Sequence, residues 1–283
     1  MQIINEFSDI ADQFDAVLCD VWGVIHNGKR LYDGVKTPLA QFKQAGKPVV
    51  LLTNAPRPPQ DVKIQVGGMG LDTDCYDDIV TSGYVTQTLI DDLGDKPIFH
   101  LGPERDRSLL QKQLGQLTAL EEAKAVVCTG LFDDTYETPD HYNEMLSDIA
   151  ERQLPFITAN PDLVVDRNGT MIYCAGALAK RLSELGGKPI LSGKPYSAVY
   201  EKSLEVIAEQ AGKDIPKEKI LCIGDGLMTD VKGALDNDFP CLFVFGGIHK
   251  ADILPNGSYS EAGAQSLFAE IGRIPDFGIE SLI

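Results

Sequence analysis

The feature that most constrains the fold is a regular alternation of short apolar runs, rich in Val and Ile, with polar segments of helix length. This pattern is typical of a doubly wound, Rossmann-like α/β fold, in which helices cover both faces of a mostly parallel sheet. Nearly every run ends in Thr, Asn, Asp, Ser or Gly, and such sheets bind ligands beyond the carboxyl ends of their strands. The predicted strands span residues 16–21, 48–54, 78–82, 97–102, 125–130, 155–160, 189–193, 220–225 and 241–247.

These strands are too many for one compact sheet, and their polar ends fall into two groups along the chain. An inserted domain explains this distribution, because insertions enter at exposed, glycine-containing connections. We therefore predict a core domain made of residues 1–82 and 188–283, with an inserted α/β domain at residues 83–187.

The composition allows a substantial core, since 43% of the 283 residues are hydrophobic. The six cysteines are scattered without CxxC spacing, which favours reduced core thiols over a zinc site or a disulfide framework. The sequence shows no signal-peptide pattern and no run near the ~18 apolar residues of a membrane span. We therefore expect a cytoplasmic protein that does not associate with membranes.

The charge balance is strongly acidic, at −17 from 42 acidic and 25 basic residues. The chain lacks a Lys/Arg cluster that could follow the phosphates of a nucleic acid, so the sequence argues against such a partner. A phosphate ligand would need a locally positive pocket or a metal ion to overcome this background. The sequence leaves the oligomeric state open, including a homo-oligomer.

The segment LCDVWGVIHNG, residues 18–28, carries one aspartate directly after a predicted strand. A carboxylate at a strand end can attack phosphorus, and the resulting aspartyl phosphate divides one difficult displacement into two easier ones. The alternative is that Asp20 only caps a turn. Trp22 stands two positions later, and its indole donates a hydrogen bond but delivers no proton. His26 follows on a turn that resembles a small hairpin.

Further polar groups follow two other predicted strands. Thr53 and Asn54 offer a hydroxyl and backbone N–H groups to a phosphate oxygen, although Thr-Asn-x-Pro is also an ordinary turn sequence. Lys194, in SGKPY, would neutralise a nucleophile and an incoming phosphate, although a surface lysine also fits. Arg57 could contact the same ligand, or it could simply be solvated.

Two carboxylates belong to the segment ILCIGDGLMTDVKGALDND. Asp225 ends a predicted strand, and Asp230 lies at the predicted start of the next helix. Carboxylates that converge on one site repel each other unless a cation lies between them, and a hard ion such as Mg²⁺ prefers oxygen ligands. The alternative for Asp230 is a helix-start residue that the helix dipole favours.

In this order the motifs resemble the haloacid dehalogenase (HAD) superfamily over nearly the whole chain. CDVWGV is similar to its nucleophile loop, LLTNAP to its phosphate-binding loop, SGKPY to its lysine loop and IGDGLMTDVKGA to its metal loop. The inserted region resembles the α/β cap of the sugar-phosphatase-like class II, subclass A members. The resemblance implies a hydrolase of the phosphatase type that acts on small organic phosphates.

The resemblance also implies a role for each motif residue. Asp20 would be the nucleophile, Thr53 and Asn54 would bind phosphate, and Lys194 would bridge the nucleophile and the phosphate. The implied ligands of Mg²⁺ are Asp20, the backbone carbonyl of Trp22 and Asp225, with Asp230 in a supporting role.

Trp22 departs from the pattern, because most phosphatases of the superfamily carry a second aspartate there as the acid and base. Such a group typically contributes ~10²–10⁴-fold in rate. The missing proton could come from His26, from a cap residue or from the substrate, or an acidic leaving group could do without it.

The leading hypothesis is a Mg²⁺-dependent phosphohydrolase of a small phosphorylated metabolite, such as a sugar phosphate or a similar phosphomonoester. The alternatives are a low-turnover phosphometabolite-binding or regulatory protein on the same scaffold, and another HAD chemistry that lacks the second acid. The inserted domain would select the substrate, with Asn160 and Asp162 as candidate contacts, although Asn-Pro-Asp also forms a turn.

Overall fold

A computed structural model describes all residues, 1–283. By its internal contacts the chain divides into two compact units. The first unit comprises Met1–Thr53, Lys63–Val80 and Tyr200–Ile283, and the second comprises Asn54–Val62 and Thr81–Val199. The mixed α/β architecture with mostly parallel sheets confirms the predicted fold class.

All nine predicted strands are present. In chain order the strands are β1 (Gln2–Ile3), β2 (Ala16–Cys19), β3 (Val49–Thr53), β4 (Asp78–Thr81), β5 (Ile98–Leu101), β6 (Ala125–Cys128), β7 (Phe156–Thr158), β8 (Val164–Arg167), β9 (Thr170–Tyr173), β10 (Pro189–Leu191), β11 (Ile220–Gly224), β12 (Cys241–Val244) and β13 (Phe277–Ile279). The prediction missed β1, β8, β9 and β13, which are short or lie at a sheet edge or in a hairpin.

The α-helices are α1 (Ser8–Ala11), α2 (Lys36–Gln44), α3 (Pro59–Gly68), α4 (Ser82–Asp91), α5 (Asn143–Glu151), α6 (Ala175–Glu184), α7 (Ser197–Ala211), α8 (Lys232–Asp236), α9 (Lys250–Ile253) and α10 (Glu261–Ala269). Glu104–Gln116, Leu120–Glu122, Pro139–Tyr142 and Lys217–Lys219 form 3₁₀ turns, and Leu227–Val231 forms a π-helical turn. The helix α4 begins where the Thr81 hydroxyl accepts a hydrogen bond from the Tyr84 N–H, at 3.0 Å.

The sheet of the first unit has the strand order β1-β13-β12-β11-β2-β3-β4. Strands β2, β3, β11 and β12 are buried at every position, which explains why their sequences are continuous apolar runs and do not alternate. The chain winds outward from β2 through β3 to β4 and then returns to β11 on the other side of β2. The topological switch point, where such sheets bind ligands, therefore lies between β2 and β11.

The second unit is built on a parallel sheet of order β10-β7-β6-β5. Its helices α5 and α6 pack on this sheet through Leu146, Ile149 and Leu178, which are fully buried with Phe156. The antiparallel hairpin of β8 and β9 forms a separate two-stranded sheet.

Strand β10 pairs with β7, with Ile190 opposite Ile157. The predicted division assigned residues 188 onward to the core, whereas the segment up to Val199 groups with the second unit. Periodicity identifies a short apolar strand but does not specify its partner, because strand pairing depends on the packing of distant segments. The functional division into a core and a cap stays a prediction.

Candidate active site

Two of the predicted site aspartates follow the strands that flank the switch point. Asp20 comes directly after β2, and its backbone N–H donates a hydrogen bond of 2.8 Å to the carbonyl of Ile223 in β11. Asp225 comes directly after β11. Because β2 and β11 are parallel neighbours, their carboxyl ends bring both side chains to one edge of the sheet.

The carboxylates of Asp20, Asp225 and Asp230 form a cluster in which the potential ligand oxygens lie within 4.8 Å of one another. The three residues are only 6%, 5% and 8% exposed. Three buried carboxylates at this separation repel one another strongly unless a cation lies among them. An all-oxygen donor set of this charge fits Mg²⁺ well.

The orientation of Asp225 is fixed from two sides. The backbone N–H of Ile248 donates a hydrogen bond of 2.7 Å to its Oδ2 atom. Gly23 and Gly247 pack so closely on the carboxylate that a Cβ atom at either position would lie 2.0 or 2.1 Å from Oδ2. Gly23 also has a φ of +94°, so this position requires glycine for both conformation and space.

Asp230 lies in the π-helical turn and not in the regular α-helix that the sequence predicted at this point. The backbone N–H groups of Asp230 and Val231 both donate to the carbonyl of Gly226, at 2.8 and 3.0 Å. In return, the N–H of Gly226 donates to Asp230 Oδ2 at 2.9 Å. Single π-turns are frequent at functional sites, and this one holds a carboxylate against its own loop.

The turn after Asp20 is built around Trp22 and His26. Their rings meet edge to face with centroids 5.2 Å apart, and the Gly23 N–H donates to the His26 carbonyl at 2.9 Å. His26 is 2% exposed, and its Nδ1 accepts the Gly28 N–H at 2.9 Å. In the neutral ring the proton is therefore on Nε2. His26 is a buried part of the turn, and its role as a proton source stays a prediction.

Asn54, Lys194 and Asp162 come together in the second unit. Asn54 Oδ1 accepts the backbone N–H of Lys194 at 2.7 Å, and Asn54 Nδ2 donates to Asp162 Oδ1 at 2.9 Å. Gly193 packs so closely against Asn54 that a Cβ atom at position 193 would lie 2.6 Å from Asn54 Oδ1. Lys194 is 3% exposed, which excludes the solvated surface lysine that the sequence left open. Thr53, the last residue of β3, is likewise buried.

Asn160 and Arg57 make contacts within the second unit. Asn160 Oδ1 accepts the backbone N–H of Asp162 at 2.9 Å, which is the turn that Asn-Pro-Asp predicts. The Nε atom of Arg57 lies 3.5 Å from Asp106 Oδ1, so this arginine pairs with a buried carboxylate. Burial raises the pKa of Asp106 to about 6, although Arg105 and Arg57 act to lower it.

The loop of residues 246–249 also lies against the aspartates, although no motif in the sequence predicted it. Gly247 packs against the Asp225 carboxylate, and the Ile248 N–H donates a hydrogen bond to it. The Nε2 atom of His249 accepts a hydrogen bond from the Leu227 N–H at 3.3 Å. The available signal was the pair of glycines that follows the buried strand β12, beside the strand that leads to Asp225.

Two protein-family models match the chain. The model described as haloacid dehalogenase-like hydrolase matches residues 17–114, and the one described as HAD-hydrolase-like matches residues 191–268. A hydrolase of the haloacid dehalogenase-like family from Brucella suis 1330 has a crystal structure that is 40% identical in sequence, with a TM-score of 0.88. That match covers 99% of this chain and 100% of the other. The chain therefore belongs to the haloacid dehalogenase-like hydrolases.

More distant relatives carry phosphatase names. The ribonucleotide monophosphatase NagD of Escherichia coli (strain K12) is 24% identical over 265 residues, which cover 91% of this chain and 98% of the relative. A possible sugar phosphatase from Cytophaga hutchinsonii ATCC 33406 shares the fold at a TM-score of 0.81 and 23% identity, over 99% and 98% of the two chains. The predicted enzyme class is confirmed as a hydrolase of this family. None of the helices is long and apolar enough to span a membrane.

Proposed function

We propose that this chain is a Mg²⁺-dependent phosphohydrolase of a small phosphorylated metabolite. The observation that carries the proposal is the buried cluster of Asp20, Asp225 and Asp230 at the switch point of the sheet. Such a cluster is unfavourable without a cation, and a phosphate ester is the substrate on which a carboxylate nucleophile beside a divalent cation can act.

In the proposed reaction, Asp20 attacks phosphorus and the P–O bond to the leaving group breaks, so that the group departs as an alkoxide. This leaves an aspartyl phosphate that water then hydrolyses. Thr53 and Asn54 would bind phosphate oxygens with their side-chain and backbone donors. Lys194 would offset the negative charge of the nucleophile and the phosphate.

The proposed residues for holding Mg²⁺ are Asp20, the backbone carbonyl of Trp22 and Asp225. Asp230 would support them from its π-turn. Mg²⁺ would neutralise charge on the phosphate oxygens during the transfer. The backbone at residue 22 can supply its carbonyl whatever the side chain is, so the tryptophan leaves this ligand set intact.

For the substrate we propose a sugar phosphate or a similar phosphomonoester. The names of the relatives, a possible sugar phosphatase and a ribonucleotide monophosphatase, support this class. The proposed selecting region is the inserted domain, residues 83–187, with Asn160 and Asp162 as candidate contacts. The bond between Asp162 and Asn54 supports this placement, because it ties one candidate contact to a phosphate-binding residue within the second unit.

The test is a turnover assay with nitrophenyl phosphate and a panel of phosphorylated metabolites, each with and without Mg²⁺. We expect metal-dependent release of phosphate from at least one compound. Asp20→Asn should abolish this activity, whereas Asp140→Asn, at an exposed aspartate of the second unit, should leave it unchanged. Turnover that persists in Asp20→Asn would show that another residue is the nucleophile.

A second candidate function is a low-turnover protein that binds phosphometabolites. Trp22 favours it, because the position of the usual acid and base carries a side chain that cannot transfer a proton. This candidate predicts Mg²⁺-dependent binding of a phosphometabolite in calorimetry without turnover on any compound of the panel. Multiple turnovers on one metabolite would exclude it.

A further inference from the structure

His249 lies in the loop after β12, and its imidazole ring contacts both Leu227 and Asp252. Its Nε2 accepts the backbone N–H of Leu227 at 3.3 Å. Its Nδ1 lies 3.2 Å from Asp252 Oδ2, and since a carboxylate only accepts, Nδ1 is the donor. The ring therefore carries its proton on Nδ1 and presents Nε2 to the loop that contains Leu227.

Leu227 is the first residue of the π-helical turn that carries Asp230. The residue before His249, Ile248, donates its N–H to Asp225. Ile248 therefore binds Asp225, and the next residue, His249, binds the start of the turn that carries Asp230. The ring of Phe243, from β12, lies beside the imidazole, with the two ring centroids 6.3 Å apart.

We propose that His249, oriented by Asp252, is a positioning residue for the Mg²⁺ site. It makes no hydrogen bond to Asp20, Asp225 or Asp230, and it acts by fixing the start of the π-turn on which Asp230 is placed. The proposal rests on the proposed function, because it assumes that the aspartate cluster binds Mg²⁺. Residues that orient metal ligands typically change metal affinity by about 10–100-fold when they are replaced.

The choice of variants follows from the geometry. In His249→Gln the amide oxygen can reach the position of Nε2 and accept the Leu227 N–H. In His249→Leu the side chain is of similar size but has no hydrogen-bond acceptor. In His249→Asn the side chain is too short for its amide oxygen to reach the Leu227 N–H. His141→Leu is a matched control, because His141 bonds only Thr138 in a 3₁₀ turn of the second unit.

The experiment measures Mg²⁺ binding by isothermal titration calorimetry on the full chain without substrate. We expect the Kd for Mg²⁺ to rise about tenfold in His249→Leu and His249→Asn, and to stay within about threefold in His249→Gln. Asp252→Leu should show a smaller rise, and His141→Leu should show none. At saturating Mg²⁺, the KM for nitrophenyl phosphate should be the same in all variants.

Several outcomes would overturn the proposal. A folded His249→Leu or His249→Asn variant that binds Mg²⁺ as tightly as the unaltered chain would show a merely structural role, even if its Tm falls. Equal weakening in Gln, Asn and Leu would exclude the acceptor role of Nε2. Failure of the unaltered chain to bind Mg²⁺ would overturn the metal site of the proposed function itself, which distinguishes that failure from failure of the role of His249. If His249→Leu does not fold, the comparison of Gln with Asn decides.

Discussion

Trp22 is the residue that bears most directly on the chemistry we propose for the site. In the superfamily that the sequence resembles, a second aspartate usually stands here as the acid and base. The nearest histidine, His26, is buried against the indole, and its Nδ1 is held by the Gly28 N–H. Only Nε2 of the neutral ring can therefore donate a proton, and that loss would leave an imidazolate. An acid at position 22 is the more direct source.

We expect Trp22→Asp to raise the turnover of substrates with poor leaving groups by about tenfold or more, because the new carboxyl can protonate the leaving alkoxide. Nitrophenyl phosphate, whose leaving group is acidic, should respond much less. The measurement is kcat/KM for an alkyl phosphate and for nitrophenyl phosphate in both chains. Equal or lower rates on the alkyl phosphate would indicate that the indole packs in the site or contacts substrate.

We expect the buried carboxyl group of Asp106 to make the stability of the chain depend on pH. Burial raises its pKa from 3.8 to about 6, so between these pH values the folded chain holds a proton that the unfolded chain has lost. Stability must therefore fall as pH rises through this window, by about 2–3 kcal/mol in total. Asp106→Asn removes this cost, and we expect it to unfold at higher denaturant than the unaltered chain at pH 7 but not at pH 4. The control variant, Asp140→Asn, should unfold at the same denaturant concentration as the unaltered chain at both pH values. A stability difference between Asp106→Asn and the unaltered chain that does not change with pH would contradict the prediction.

At the scale of elements, the hairpin of β8 and β9 depends on one carboxylate. Arg167, the last residue of β8, donates hydrogen bonds of 3.1 and 2.8 Å to the two oxygens of Asp134, and Arg105 donates a third at 2.5 Å. Burial acts to raise the pKa of Asp134, but the two arginines more than offset it, and the pKa lies below its usual value. The hairpin is therefore joined to the segment of Arg105 by charge-assisted bonds.

We expect Asp134→Ala to lower the free energy of unfolding by about 2–3 kcal/mol, because it removes the carboxylate that two arginines share. The loss is not larger because both arginines are partly solvated. Amide hydrogen exchange in residues 164–173 should accelerate more than exchange in β6. Asp140→Ala, at an exposed aspartate of the same unit, should change neither. Unchanged exchange in the hairpin would contradict the role assigned to Asp134.

The strands show what a linear pattern can and cannot predict at this scale. Buried strands such as β2 and β11 are obvious because every residue is apolar. The hairpin was missed because its strands are partly exposed and include polar residues such as Asp166 and Arg167. Strand β10 was found but grouped with the core, because its sequence carries no information on which sheet it joins.

At the scale of the whole molecule, the aspartate cluster is part of a chain with a net charge of −17. We expect Mg²⁺ to raise the free energy of unfolding by about 2.7 kcal/mol at a concentration of 100 Kd, because the proposed site exists only in the folded chain. Thermal unfolding with and without Mg²⁺, at constant ionic strength, measures this increment separately from general salt screening.

Asp225→Asn is the control for this prediction. It removes one of three mutually repelling charges, so we expect higher stability without metal and a much smaller increment with Mg²⁺. An equal increment in both chains would show that Mg²⁺ acts on the general surface charge and not on the cluster.

The sequence by itself determined the α/β class, the strand ends that carry Asp20, Thr53 and Asp225, and the family. Each of these features can be identified from a short stretch of sequence. Apolar runs define the strands, and the polar residues at their ends belong to short motifs. Only the tertiary structure decided that Lys194 and His26 are buried, and that Asp230 lies in a π-turn. It alone showed that Gly247 packs against Asp225 and that His249 accepts a hydrogen bond from Leu227. Burial and hydrogen bonding depend on segments far apart in the chain, and no local pattern encodes which distant segment will meet a given side chain.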